Sequence, residues 1–405
     1  MEEWFCAGER IFVPGASGEP RSFTQGIFQQ ENITITTSFV PGVNRLTSAM
    51  IGSGTIVNGL FMQAGLAEAQ RTGGFRHLPM SYAGMIKYLR SQTGFDNCVV
   101  QVTPPDAQGL CRLGPAAEFL TEILRRARKI VAVINENMPE IKNSPSLSIK
   151  ACALIKHDNA ELARYEVGSE DALSQKIALH IAPYIKEGAI LQTGLGKVPH
   201  ALMDQLSDRR NLRLYSGMIS DGVMSLAKAG ALDPDWRHMT TVILGSPALY
   251  QWIKNREDIY LAGVEHTHDP IRLAALSGLV AVNSALEVDL FGQCNLEVAE
   301  GRSVSGIGGA ADFARAARLG KNGISIVALP SSFGSDKLSR IKPVLATDAI
   351  VSLARTEVDV IVTENGSADL RGKSVHERAE SIIAIAAPHR QADLVSAWSR
   401  IAMRL

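Results

Sequence analysis

The chain has 405 residues, enough for two or three domains, and its 46% hydrophobic and 20% charged content is that of a globular protein. Lys+Arg and Asp+Glu balance at 41 each, so no basic excess argues for nucleic acid or an anionic membrane surface, and no apolar run approaches the ~20 residues that span a bilayer. Five scattered cysteines (Cys6, Cys98, Cys111, Cys152 and Cys294) form no C-x-x-C pair; this argues against a disulfide framework or a zinc site, and for a reducing cytoplasm. The opening "MEEWFCAGERIFVPG" is acidic and lacks the apolar core of a signal peptide.

Taken in chain order, short apolar runs alternate with amphipathic stretches. "RIFVPG" and "ITITTSFV" read as strands, "NCVVQVTPPD" as a strand ending in a proline turn, "AAEFLTEILRRARK" as a helix and "IVAVINE" as a buried strand. This is the βαβ rhythm of a parallel sheet covered on both faces. The rhythm resets near residue 166, where "GSEDALSQKIALHIAPYIKEG" reads as a helix with Ser169 at its N-cap and Gly188 at its C-cap. Seven further strand-like runs follow, from "AILQTG" to "VDVIVTENG". The expectation is an α/β protein with two mainly parallel sheets, in domains of residues 1–165 and 166–405.

Two glycine-rich turns leave strands and enter helices. "LQTGLGKVPHAL" places Gly194 and Gly196 after an apolar run ending in Gln192, and "SGIGGAADFARAARLG" places Gly306, Gly308 and Gly309 before a helix with Asp312 in its first turn. Backbone N–H groups at such turns can face an oxyanion or phosphate. Either turn alone is equally a plain connection, and Asp312 equally a complement to the helix dipole. The pair makes a shared ligand cradle the stronger reading.

"VEHTHDP" carries His266 and His268 with Glu265 and Asp269. Spacing two on a strand would set both rings on one face, but no third metal ligand follows, so a strand end with an Asp-Pro helix start is expected and no metal site. "VTENGSADLRGKSVHERA" mixes Glu364, Asn365, Asp369, Arg371 and Arg378, and reads as a hydrogen-bonded turn.

Together, "VPGASGEP", "TPPDAQG", "LQTGLGKVP", "ISDGV", "NSALEVDLFGQ", "SGIGGAADFARAA", "VTENGSADLRGKSVHERA" and "IAAPHR" resemble, in order, the acetyl-CoA hydrolase/transferase family, which includes 4-hydroxybutyrate and butyrate–acetate CoA-transferases. The resemblance covers nearly the whole chain and is strongest from 190 to 390. It implies two CoA-transferase-type open α/β domains with the active-site cleft between them, in a homodimer. Acyl-CoA would be a substrate, with no tightly bound cofactor. The turn at Gln192, Gly194 and Gly196 would serve the oxyanion, and Gly306, Gly308, Gly309 and Asp312 would bind CoA.

In that family a glutamate before "M-[IL]-S-D-G" attacks the thioester and passes through an acyl anhydride and a glutamyl-CoA thioester. Here the string is Tyr215-Ser216-Gly217-Met218, and the nucleophile's position is Gly217. The flanks match without a gap, so a slip in register does not restore the glutamate. Glu364 sits in a "TENG" string similar to the nucleophile motif of two-subunit CoA-transferases, but the family carries a similar Thr-Glu there in addition to its nucleophile. Ser216, Asp221, His266 and His268 remain as candidate catalytic or acid/base groups. Three readings stay open: an acyl-CoA enzyme working by hydrolysis, C–C cleavage or direct acyl transfer; a CoA-transferase inactivated at this position; and a non-catalytic acyl-CoA binder.

Overall fold

The computed structural model describes residues 5–169, 171–334 and 338–405. The first sheet has seven parallel strands: β1 (Arg10–Val13), β2 (Thr34–Thr37), β3 (Ile56–Gly59), β4 (Phe75–His77), β5 (Phe95–Val102), β6 (Ala127–Asn135) and β7 (Leu154–Asp158), in the order β4-β3-β2-β1-β5-β6-β7. The second sheet has six: β8 (Ile190–Thr193), β9 (Arg213–Leu214), β10 (Leu279–Ser284), β11 (Ile324–Ala328), β12 (Val360–Thr363) and β13 (Gly366–Asp369), in the order β9-β8-β10-β11-β12-β13. Only the last pairing, β12 with β13, is antiparallel. Between the sheets, residues 159–169 carry no helix or strand.

The strands read as continuous apolar runs because both faces are covered. In β5 every residue except Asp96 is buried, and β8, β11 and β12 are buried throughout. One face of the second sheet packs Leu191, Val280 and Val282 against Ile177 and Leu202. The other packs Ile190, Leu279 and Ala281 against Phe313 and Ala316.

Strand order reverses between β1 and β5 in the first sheet and between β8 and β10 in the second. In open parallel sheets the crevice for a ligand lies outside the carboxyl ends of the strands at such a reversal. The second crevice therefore falls at Thr193–Gly194 and Asn283–Ser284.

Three local expectations change. The helix expected from Ser169 begins at Ala172, with Asp171 as N-cap accepting from Ser174 N at 2.7 Å; it ends at Ile181, before a 3-10 turn at Ala182–Tyr184, because Pro183 cannot continue the ladder. Helix in "AAEFLTEILRRARK" is confined to Leu120–Leu124, and the strand β6 already begins at Ala127. The "VEHT" run is a short helix, Val264–Thr267, not a strand end, so its two histidines do not share a strand face. The following helix, Pro270–Ala274, does start on an Asp-Pro cap, with Asp269 Oδ1 accepting from Arg272 N at 2.9 Å.

Candidate active site

Alternation along the chain sorts the residues around Gly217 onto two faces. Tyr215 packs with Leu273 and Phe313, whereas Leu214 packs with the helices on the opposite face. Gly217 shares the Tyr215 face, and Ser216 shares the other. The Ser216 hydroxyl donates to Thr193 O at 3.0 Å and is buried; it ties two strand ends together, and among the described residues its hydrogen-bond partners are all backbone groups. Asp221 opens the helix Asp221–Lys228 and accepts from Ser246 N at 2.9 Å and Ser246 Oγ at 2.5 Å. Both its oxygens serve the junction with the next helix.

The side-chain space at Gly217 holds His268. A Cβ on Gly217 would lie 3.1 Å from His268 Nε2, and a Cβ on Gly309 would lie 2.4 Å from the same atom. The imidazole is 1% exposed and stands between Tyr82 and Phe313, each with its ring centroid 5.0 Å away. Burial pulls its pKa down to about 3, so the ring is neutral. His266, on the short helix that His268 closes as C-cap, is half-buried, and its pKa is lowered by burial first and then by Arg272. Its carbonyl accepts from the Tyr215 hydroxyl at 3.1 Å.

Gln192 and Asn283 sit at the carboxyl ends of β8 and β10, and strand parity puts both on the Phe313 face. Gln192 Nε2 donates to Asn283 Oδ1 at 3.4 Å, which leaves Gln192 Oε1 and Asn283 Nδ2 buried without partners among the described residues. Reversing both amides would exchange the roles and still leave one donor and one acceptor open. Buried polar groups are almost always paired, so this open pair marks the site as built for a polar ligand atom. Asn283, Phe313 and Tyr82 were not singled out from the sequence; an Asn closing the buried run "LVAVN" was the available signal.

The two glycine turns differ. A Cβ on Gly194 would meet nothing within 4 Å, and Gly196 caps the helix Lys197–Gln205 with φ +127°. The second turn is packed against the first sheet's unit. A Cβ on Gly306 would lie 2.1 Å from Leu60 O; Met62 N donates to Ser305 O and Tyr82 N to Gly308 O, both at 3.1 Å. Asp312 accepts from Ser81 Oγ at 2.7 Å and from Ala83 N at 3.0 Å, at the start of the helix Tyr82–Ser91. Burial raises its pKa, and the bonds from Ser81 and Ala83 partly offset that. Both Asp312 oxygens thus bind the facing unit.

Glu364 accepts from Ser331 N at 2.8 Å and Ser331 Oγ at 2.5 Å, and Asn365 bonds the same hydroxyl at 3.2 Å. Glu265 accepts from Thr121 Oγ1 at 2.8 Å and 2.9 Å. Asp369 pairs with Arg371 at 2.6 Å, which lowers its pKa, and Arg378 donates to Arg355 O at 3.0 Å. A cavity of about 210 Å³ touches His268 and is lined by Ile86, Lys87 and Arg90 on the helix Tyr82–Ser91, by Glu265 on the short helix and by Asp269 at the N-cap that follows. Among the described residues no group of three or more His, Cys, Asp or Glu converges as a metal site, and no helix is long and apolar enough to cross a membrane.

The two mostly parallel sheets, one on each side of the 159–169 segment, form a CoA-transferase-type fold. The structure of RipA from Yersinia pestis superimposes with a TM-score of 0.89 at 24% identity, covering 98% of this chain and 95% of that one. That of 4-hydroxybutyrate CoA-transferase from Porphyromonas gingivalis gives 0.78 at 26% identity, over 98% and 94%. The N-terminal domain of acetyl-CoA hydrolase/transferase matches residues 3–163 and the C-terminal domain residues 245–398. The 4-hydroxybutyrate coenzyme A transferase of Clostridium kluyveri is 31% identical over 85% of this chain and 82% of its own length. The acetyl-CoA hydrolase of Kluyveromyces lactis is 31% identical over 53% of this chain and 43% of its own. The chain belongs to the acetyl-CoA hydrolase/transferase family.

Proposed function

We propose that this chain acts on an acyl-CoA thioester in a cleft between two domains, 1–165 and 166–405, and that it does not pass CoA between carboxylic acids through a glutamyl anhydride. One observation carries the reading: at position 217 there is a glycine, and the His268 ring occupies its side-chain space. An anhydride needs a carboxylate that is acylated and regenerated. The two glutamates in the candidate motifs are otherwise engaged, Glu364 by Ser331 and Glu265 by Thr121. Relatives named as CoA transferases and as an acetyl-CoA hydrolase support the acyl-CoA substrate. Without an internal nucleophile the thioester meets water or a second substrate directly, and hydrolysis is the simplest outcome; C–C cleavage and direct acyl transfer share the same starting point. The open turn at Gly194–Gly196 would offer N–H groups to the developing oxyanion. CoA would lie along the facing turn at Gly308–Gly309. The protein would act as a cytoplasmic homodimer, a state that sedimentation equilibrium at micromolar concentration would read directly.

The test incubates the protein with acetyl-, butyryl- and 4-hydroxybutyryl-CoA, with and without labelled acetate, and follows free thiol. Thiol release with no label entering acyl-CoA is expected, and borohydride followed by peptide mapping should give no reduced glutamyl adduct. A reduced glutamate together with ping-pong kinetics would overturn the reading. Tight acyl-CoA binding with no thiol release would make the chain a binder.

A further inference from the structure

The cavity that touches His268 is lined by both units, the kind of place where small-molecule pockets commonly form. Its charges are sorted by unit. The helix Tyr82–Ser91 supplies Lys87 and Arg90, three positions apart and therefore on one face of the helix. The second unit supplies Glu265 and Asp269. Ile86 and Val264, both buried, add apolar lining. The opposite charges share the cavity without closing it: among the described residues no ion pair joins Lys87 or Arg90 to Glu265 or Asp269. Arg90 Nη2 pairs instead with Glu122 at 3.0 Å. That bond is the first cause of its raised pKa, and the charges of Glu265 and Asp269 add to the rise. Lys87 is exposed and has no hydrogen bond or ion pair among the described residues. Glu265 accepts only the Thr121 hydroxyl there, and Asp269 accepts from Arg272 N through Oδ1 alone. Each side of the cavity therefore keeps open hydrogen-bonding capacity of one sign.

We propose that this cavity binds a small ω-amino acid, with its carboxylate on Lys87 and Arg90, its ammonium on Glu265 and Asp269, and its methylenes against Ile86 and Val264. The lining selects that class by exclusion as well as by attraction. A plain carboxylic acid brings its charge into a cavity that already holds two carboxylates, and a plain amine brings its charge to two cations. A molecule with one charge of each sign satisfies both sides at once. The apolar lining favours methylenes between those charges, because apolar surface removed from water on both partners stabilises the complex. The cavity, at about 210 Å³, is smaller than the ~300–1,000 Å³ typical of drug-sized ligands, so the molecule is small. Lys87 and Arg90 are exposed, so the attraction is screened by salt. The ligand touches His268, the same ring that occupies the side-chain space of Gly217. The site does not depend on the acyl-CoA reading, since none of its contacts involves a thioester or CoA.

The experiment is calorimetric titration of the full chain at low salt with β-alanine, γ-aminobutyrate and 5-aminovalerate, and with butyrate and butylamine as single-charge controls. The expected result is saturable binding of at least one ω-amino acid, at least about tenfold tighter than either control, and weaker in added salt. Lys87→Met removes the free cation, and Glu265→Gln removes a negative charge while keeping an acceptor for Thr121. Each should weaken ω-amino acid binding about tenfold. No saturable binding of any of the three, butyrate or butylamine bound as tightly as they are, or undiminished binding in both variants would overturn the proposal. If neither variant folds, ¹³C-histidine spectra of wild type decide: the bound ω-amino acid should shift the His268 ring resonance, and binding that leaves it unmoved places the ligand elsewhere and overturns the proposal. Thiol release from acyl-CoA is measured separately, so failure of this site and failure of the acyl-CoA reading are told apart.

Discussion

The Nε2 atom of His268 stands 3.1 Å from where the Cβ of residue 217 would be. The two positions therefore share one side-chain volume. Gly217→Glu alone should overpack that volume, at a cost of about 1–3 kcal/mol, and should not install CoA exchange. The double substitution Gly217→Glu, His268→Gly frees the space for a carboxylate. It should give a borohydride-reducible adduct on residue 217 in the presence of acyl-CoA. Thermal melts and peptide mapping read both outcomes; an adduct in the single variant, without loss of stability, would separate the two residues.

The turn before the helix Ala310–Leu319 is a tight backbone contact between the two units. Any Cβ at Gly306 would sit 2.1 Å from the Leu60 carbonyl oxygen, a backbone atom that cannot rotate away. Gly306→Ala should thus lower stability by about 3 kcal/mol or more. It should also raise protease cleavage between the units, because Met62 and Tyr82 lose their bonds to the turn. Gly194→Ala meets nothing within 4 Å and should leave the melting temperature unchanged. A matched loss in both variants would show that the two turns are alike.

The strands, their parallel order and the pair of glycine turns were legible because buried parallel strands are short apolar runs and strand-to-helix turns need glycine. Ser169 was a reasonable cap by type, yet Asp171 lies directly before the first helical residue and its carboxylate reaches Ser174 N. The short helix at Val264–Thr267 could not be told from a strand end, since four residues give no period. Hardest to read was the site itself. The sequence shows a glycine at 217, but not that a histidine 51 positions later fills the gap. That contact is long-range, and no local pattern encodes it. The same holds for Asp312, whose first-turn position suits a helix dipole while its partners, Ser81 and Ala83, lie in the other unit.

Asp312 links two helices through their N-terminal turns. Asn at this position keeps one acceptor oxygen and sets an amide donor against Ser81 Oγ or Ala83 N. Asp312→Asn should cost about 1–3 kcal/mol, the penalty of a buried donor left without its acceptor. The loss should appear as a lower midpoint in urea. Asp312→Asn combined with Ser81→Ala should cost less than the sum of the two singles, because one bond is removed in both. Additive losses would mean that the Ser81 bond contributes nothing.

Glu118 gives the fold a pH dependence whose sign follows from its surroundings. The side chain is 1% exposed, φ is +32°, and Oε1 has no partner among the described residues. Oε2 accepts from Ser38 Oγ at 2.6 Å. Burial outweighs that single bond and raises the carboxyl pKa to about 7, from 4.5. Between those values the folded state holds a proton that the unfolded state has lost, so stability is full below about pH 4.5 and declines as pH rises towards 7. The limiting size is ~3 kcal/mol, at 1.36 kcal/mol per pH unit. His268 has the opposite sign: its pKa is depressed to about 3, so its contribution is present above 6.5 and is lost as pH falls towards 3. The two slopes oppose each other from about pH 4.5 to 6.5. Glu118→Gln keeps an acceptor for Ser38 and removes the titration. It should stabilise the protein at pH 8 by up to ~3 kcal/mol relative to its effect at pH 4.5, and should leave the acid limb owed to His268 in place. Urea midpoints at the two pH values check this, and a shift of equal size at both would show that Glu118 is ionised throughout.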